Sequence, residues 1–237
     1  SIAKSTTGNK LIFTEKNTDL GLTFSYSWMN SDKFGWVKKS RITNVNNFDI
    51  EVNLIDGLQN ILPSGVDRQT QNTYSTLVDG YKKTELIEDA ALALFRMEAI
   101  LVDRPEPSES LRCNTAWCYG LPEARFLLSS TQLNNFRKGD NTFPETEAKG
   151  VRAAFFACTD LQLHPGATQE WYFIAEVHQD STAVNNLIDY IQTSKDIKSE
   201  LEQDIAKGTE NLIKIVAQAD GIQHTGEIGR ASCRERV

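Results

Sequence analysis

Histidine and cysteine are scarce in this chain, with three and four residues respectively among 237, and none of the patterns GxxxxGK[ST], GxGxxG or GxSxG occurs. The common phosphate-cradling loops and the strained serine elbow are therefore missing. The three histidines stand apart: His164 precedes a proline in a connector, His178 closes a strand-like stretch, and His224 lies near the end of the chain. None has a neighbour at metal-ligand or triad spacing, so neither a metal nor any other cofactor is called for. Cys113, Cys118 and Cys158 show no CxxC spacing. They fit neither a disulfide framework nor a structural zinc site, and read as buried free thiols. Positive charge is also short: 25 Lys and Arg against 32 Asp and Glu leave a net charge of −7. A nucleic-acid partner, which needs a basic face, is excluded. No apolar run approaches the roughly 18–20 residues of a spanning helix, and no charged-then-apolar leader opens the chain, so no membrane partner is expected. Gly (14) and Pro (6) are spread too thinly for a fibrous or low-complexity chain.

What remains is a globular composition, 40% apolar and 24% charged, long enough for one large domain or two small ones. The first three-quarters alternate with period two. In Thr23–Trp28, Phe24, Tyr26 and Trp28 fall on one strand face and Thr23, Ser25 and Ser27 on the other. A reversal follows near Asn30–Asp32, a turn at 44–47, and renewed alternation through Ile50, Val52 and Leu54. The segment 58–66, broken by Pro63 and Gly65, reads as an irregular loop, and 67–81 as one short helix capped by Asp67. Ala90–Val102 reads as a long strand, 111–121 and 124–130 as strand pieces, and 134–147 as a polar loop. Val151–Leu163 and Glu170–His178, joined by His164-Pro-Gly-Ala-Thr168, read as a hairpin.

At Asp180 the period changes to about 3.6. Val184, Leu187, Ile188 and Ile191 give one amphipathic helix. Ile197, Leu201, Ile205, Leu212, Ile215 and Val216 give a longer one, with Ser194 as its cap and Gly208 in its middle. The expected fold is mainly β with C-terminal helices: a large antiparallel β-sandwich over 1–179, and a helical linker over 180–226. The last segment, 227–237, has three Arg and two Glu without an apolar period. It resembles the translation of a sequencing adapter and is set aside. The absence of an initiator Met points to a sandwich incomplete at its N-terminus.

Few residues offer chemistry. Asp56, Asp79 and Glu123 adjoin turn residues and read as turn acids, since no spacing shows two distant carboxylates converging on one bond. Aromatic platforms for sugar rings are the remaining lead. Trp36, beside Gly35, and Trp117, within Asn114–Tyr119, are the two binding candidates; most tryptophans on strands belong to the core. A mutarotase-type epimerase would need a His and a Glu in one cleft, and histidine is poor here.

Phe24-Ser-Tyr-Ser-Trp28, Lys39-Ser-Arg-Ile-Thr-Asn44, Ile55-Asp-Gly-Leu-Gln-Asn-Ile-Leu-Pro63 and Leu163-His-Pro-Gly166 resemble the amino-terminal region of bacterial cellobiose phosphorylase-like glycoside hydrolases and phosphorylases. Ile215–Gly221 resembles the join to a following domain. The resemblance implies a β-sandwich of the galactose mutarotase-like, supersandwich kind, a helical linker, then an (α/α)6 barrel that carries the catalytic acid and the sugar and phosphate sites. This chain stops before such a barrel, so no catalytic residue is carried over. It also implies an oligosaccharide or glycoside partner reached through that missing domain, with a homodimer as an option; the unpaired cysteines fit a reducing compartment such as a bacterial cytoplasm, and a periplasmic protein with few cysteines would look the same. The alternative is a stand-alone carbohydrate-binding or interaction sandwich.

Overall fold

A computed structural model describes residues 1–99 and 111–218. The period-two segments become strands and the period-3.6 segments helices. Strands β1 (Ile2–Lys4), β2 (Leu11–Asn17), β3 (Leu22–Ser31) and β4 (Gly35–Asn44) follow one another as hairpins, after which β5 (Ile50–Ile61) leaves for another layer. Two short helices, α1 (Arg68–Thr73) and α2 (Ser75–Tyr81), lead to β6 (Lys82–Ile87), β7 (Leu92–Met97), β8 (Cys113–Tyr119) and β9 (Arg125–Ser129). Helix α3 (Leu133–Arg137) precedes β10 (Glu147–Lys149), β11 (Ala153–Leu163) and β12 (Thr168–Gln179); α4 (Ser181–Thr193) and α5 (Ile197–Gln218) follow.

The strands form two antiparallel sheets: nine in the order β1-β2-β3-β4-β12-β8-β7-β6-β10, and three in the order β5-β11-β9. Between them lie Ile42, Phe95, Ala116, Cys118, Trp171 and Phe173 of the large sheet, against Leu54, Leu128, Phe155, Ala157, Leu161 and Leu163 of the small one. The expected aromatic face of β3 points into this gap. Phe24 stacks on Trp171 at 6.1 Å between ring centroids, and Tyr26 on Phe13 at 4.8 Å. Each large side chain buried here contributes on the order of 1.5–3 kcal/mol. The opposite face of the large sheet is apolar too. Val37, Leu92, Trp117, Tyr172 and Ile174 are buried there together with Phe34, Ile197 and Leu201. Strand β12 supplies both cores, Trp171 and Phe173 inward and Tyr172 and Ile174 outward, as its alternation requires.

Several local expectations are corrected. Strands β11 and β12 are not a hairpin: β11 pairs with β5 and β9, whereas β12 pairs with β4 and β8. Their connector is a corner between layers, because Phe155 and Leu161 must face Trp171 and Phe173 across the gap rather than lie beside them. Asn44, fully buried at the end of β4, secures the corner. Its amide donates to the carbonyls of Phe48 (2.9 Å), Leu163 (2.9 Å) and His164 (3.3 Å), bridging the two crossovers that pass between the sheets. Strand β5 runs on to Ile61 through the segment expected to be a loop. The helix expected over 67–81 is broken at Tyr74 into two, with Asp67 capping the first as foreseen. The strand expected over 90–102 is β7 alone, preceded by a left-handed Ala91; residues 100–102 lie outside the described set. The segment 134–147 contains most of α3 and the first residue of β10. Ser194 ends α4, while Asp196 accepts the Ser199 N–H at 3.1 Å in the first turn of α5. Cys233 and 227–237 lie outside the described residues.

Candidate functional site

A polar cluster lies between the sheets. Asp56 of β5 accepts a hydrogen bond from the Trp171 indole N–H (2.8 Å) and one from the Ser40 hydroxyl (2.8 Å) at Oδ2, while Lys38 pairs with Oδ1. The Lys38 ammonium also donates to the Gly57 carbonyl at 3.2 Å and sits 5.2 Å from the Tyr26 ring centroid and 5.5 Å from that of Phe173. Lys38 and Ser40 share the inward face of β4 with Ile42, which is why a charge enters the core here. The sequence placed Asp56 in a turn. It stands in the middle of a strand, its side chain only 12% exposed and both oxygens committed. A carboxylate held so firmly joins two layers and is poorly placed to exchange protons with a substrate. The Cys118 thiol nearby is pushed far up, by burial first and then by the Asp56 charge, with Lys38 opposing; it is inert at neutral pH.

The remaining candidate acids and bases do not converge. Asp79, read as a turn acid, lies instead within α2 and pairs with Lys82 at 2.8 Å, whereas Glu123 occupies an exposed left-handed turn position, as expected of a turn acid. His164 meets Asp49 at 3.1 Å and His178 meets Ser64 at 3.1 Å, contacts that spacing along the chain could not show. Among the described residues neither pair gains a third member, and no group of His, Cys, Asp and Glu is arranged to hold a metal ion. The three described cysteines are buried and free, as read from their spacing.

The structure separates the two tryptophan candidates. Trp117 is 2% exposed, 6.5 Å from Phe34 in the core beneath the helices, and presents no face to a ligand. Its segment Asn114–Tyr119 is a central strand buried on both faces, which alternation alone does not reveal. Trp36 is 54% exposed, directly after the glycine that closes the β3–β4 turn. Gly35 has φ +81°, and a Cβ there would lie 2.6 Å from the Ala175 carbonyl oxygen, so the turn that presents Trp36 requires glycine.

The helices form a strap over the outer face of the large sheet. Ile197 and Leu201 are buried on it, with Leu187, Ile188, Ile191 and Ile205 packed alongside. A rim of ion pairs frames the contact: Lys39 with Glu170 (3.2 Å) and Glu202 (2.8 Å), Lys198 with Glu170 (2.9 Å), and Lys33 with Glu200 (2.9 Å). The Tyr172 hydroxyl donates to Glu202 at 2.6 Å, and Asp204 accepts from the Ser31 hydroxyl and from the Lys33 N–H at 3.0 Å. Burial disfavours the charged form of Glu170, yet hydrogen bonds from Lys198 and Lys39 outweigh it and hold the carboxyl below its usual range. Lys39 and then Tyr172 do the same for Glu202. The first half of α5 is docked on the sandwich, whereas Ile213 and Ile215 in the second half are 41% and 64% exposed.

No family model and no curated protein matches the chain. Among solved structures it is similar to a bacterial glucoamylase complexed with acarbose, with a TM-score of 0.47 and 6% identity, covering 90% of this chain and 28% of that one. It is also similar to a putative kojibiose phosphorylase from the human microbiome (TM-score 0.37, 8% identity, 85% of this chain and 23% of that one). A third likeness is to a family GH92 alpha-mannosidase from Bacteroides thetaiotaomicron (TM-score 0.34, 12% identity, 89% and 28%). The chain thus spans less than a third of each of these proteins. Scores this low do not bear on its site residues or chemistry.

Proposed function

We propose that this chain is the non-catalytic sandwich-and-linker portion of a carbohydrate-active enzyme acting on glycosidic bonds, a hydrolase or phosphorylase whose catalytic residues lie in a further domain. The observation that carries the reading is the helical strap: α4 and the start of α5 are fixed to the sheet, and α5 then continues with Leu212, Ile213, Ile215 and Val216 on a stretch where Ile213 and Ile215 face solvent. An apolar helical surface held by a rigid sandwich suits a linker that meets another helical body. The motif residues behind the family resemblance support it as well. Lys39–Asn44, Ile55–Pro63 and Leu163–Gly166 all contribute to the joins between the two sheets, through Ser40, Asn44, Asp56 and the Leu163 and His164 carbonyls. On this reading they are marks of architecture rather than of catalysis.

The test is an assay of this chain against glycosides, with and without inorganic phosphate, beside the protein translated from the uninterrupted genomic reading frame. The expected outcome is turnover by the longer protein alone, with several hundred further codons encoding paired amphipathic helices. Turnover by the chain itself, or a natural stop at once, would reject the reading.

The second reading, a carbohydrate-binding module, is favoured by one observation, the exposed ring of Trp36. Titration with oligosaccharides, followed by tryptophan fluorescence, separates the two. Saturable binding that Trp36→Ala abolishes establishes the module, and an unchanged spectrum leaves the scaffold.

A further inference from the structure

We propose that the cavity between the bulged end of β5 and helix α1 binds a small oxyanion, either free phosphate or the acidic group of a charged sugar. The cavity has a volume of about 440 Å³ and is lined by Asn60, Arg68, Gln71, Asn72, Lys82 and Arg152 among others. Three of these residues are cationic, in a chain whose net charge is −7, so positive charge is gathered here against the overall balance. Lys82 is 4% exposed and already matched: it pairs with Asp79 at 2.8 Å and donates to the side-chain Oε1 of Gln71. Arg68 and Arg152 are different. Neither guanidinium makes a hydrogen bond or ion pair with a described residue, and Arg152 feels Asp79 only through space. The nearby acids are taken, since Asp67 accepts the Thr70 N–H at 2.7 Å as the cap of α1 and Asp79 holds Lys82.

The backbone shapes the place. Ala153 pairs with Ile61 but Ala154 pairs with Gln59, so Asn60 is the extra residue of a β-bulge, and its φ of +58° lies in the left-handed region. Bulges of this kind bend a strand and re-aim side chains; here the bulged Asn60 is in the wall of the cavity that Arg152, just before β11, also lines. Arg68 and Arg152 line one cavity, and a guanidinium offers a fork of parallel N–H donors at the spacing of phosphate or carboxylate oxygens. The Asn60 and Asn72 amides supply partners for hydroxyl groups, and the volume suits a small molecule. The site does not depend on the chain being part of an enzyme.

The experiment is a titration of the intact chain, followed by amide and arginine side-chain nitrogen–proton NMR, with inorganic phosphate, glucuronate and neutral glucose as probes. The expected result is saturable shifts confined to Asn60, Arg68, Gln71, Asn72 and Arg152 with phosphate, glucuronate or both, and none with glucose. Which anion binds more tightly tells whether the charge arrives free or on a sugar. Affinity should fall about tenfold or more in Arg68→Gln with Arg152→Gln, and with added chloride, but not in Arg41→Gln on the outer face of the large sheet. Shifts scattered over surface lysines, equal response to glucose, or undiminished affinity in the double variant would overturn the proposal. Were the double variant to unfold, the map and salt dependence of the unaltered chain decide alone.

Discussion

The indole N–H of Trp171 donates to Asp56 across the gap between the two sheets, at 2.8 Å, and ties the centre of the nine-stranded layer to β5 of the three-stranded one. Because Asp56 also neutralises the buried Lys38, its removal should cost more than the bond itself. Asp56→Ala is expected to destabilise the chain by about 3–5 kcal/mol, the scale for stranding a buried charge. Trp171→Phe, which deletes one donor to a charged acceptor, should cost about 1.5–3 kcal/mol plus lost packing. Adding Lys38→Met to Asp56→Ala should recover part of the loss. Urea denaturation measures all three, and a double variant no more stable than Asp56→Ala would contradict a stranded charge as the cause.

Asn44 makes a sharper case for a single side chain holding a corner. Three carbonyls accept from its amide and its own Oδ1 accepts the Asn46 N–H at 2.9 Å, so both ends of the side chain are in use. Asn44→Ala should destabilise by about 1–3 kcal/mol, and Asn44→Asp by at least as much, since a carboxylate would face three carbonyl oxygens. Equal stability of Asn44→Asp and the unaltered chain would show that the amide donors do not matter.

Two glycines should respond with opposite signs. A Cβ on Gly57 would lie 2.0 Å from the Phe155 carbonyl oxygen, so Gly57→Ala must push β5 from β11 and with it the Asp56 cluster; it should be among the most damaging substitutions in the chain. Gly208 lies inside α5 with nothing within 4 Å of such a Cβ. Gly208→Ala should raise stability by about 0.5–1 kcal/mol through helix propensity alone. Thermal melts of the two variants provide the check, and a destabilised Gly208→Ala would mean that α5 is covered there.

Acid should loosen the strap before the sandwich. Glu170, Glu202 and Asp204 are all held below their usual values: Glu170 by Lys198 and Lys39 against burial, Glu202 by Lys39 and Tyr172, and Asp204, against burial, by Ser31 and the Lys33 and Asp32 N–H groups. A carboxyl whose folded value is depressed adds stability that is fully present above the ordinary range near about pH 4 and is lost as pH falls through the folded value. Hydrogen exchange at about pH 3 should therefore show α5 amides losing protection while β11 and β12 keep theirs. Uniform loss across helix and strands would remove these carboxylates from the docking of α5.

The alternation of Phe24, Tyr26 and Trp28, the two-faced apolar pattern of β12, and the change to a helical period at Asp180 each correspond to an element in its expected place. Local steric periods decide these features, and neighbours in sequence suffice to read them. The sites were less legible. Trp36 and Trp117 look alike in sequence because each stands in an apolar, turn-flanked stretch; only the docking of the helices on Trp117 and the open end of the sheet at Trp36 tell them apart. That Arg68 and Arg152 line one cavity is not legible in the sequence because 84 positions separate them, and the bulge at Asn60 leaves no mark beyond an Asn within an alternating run.

By itself the sequence determined that this is a mainly β chain with helices after Asp180, short of histidine chemistry and carrying an acidic net charge, because composition and period are properties of neighbours along one strand of polypeptide. Which strand lies beside which was left to the tertiary structure. Leu163 and Thr168 are close in sequence, yet their strands belong to different sheets, since the inward rings of β11 and β12 lose more water by facing each other than by lying side by side. That choice alone brings Trp171 to Asp56 and sets Asn44 in the corner between them.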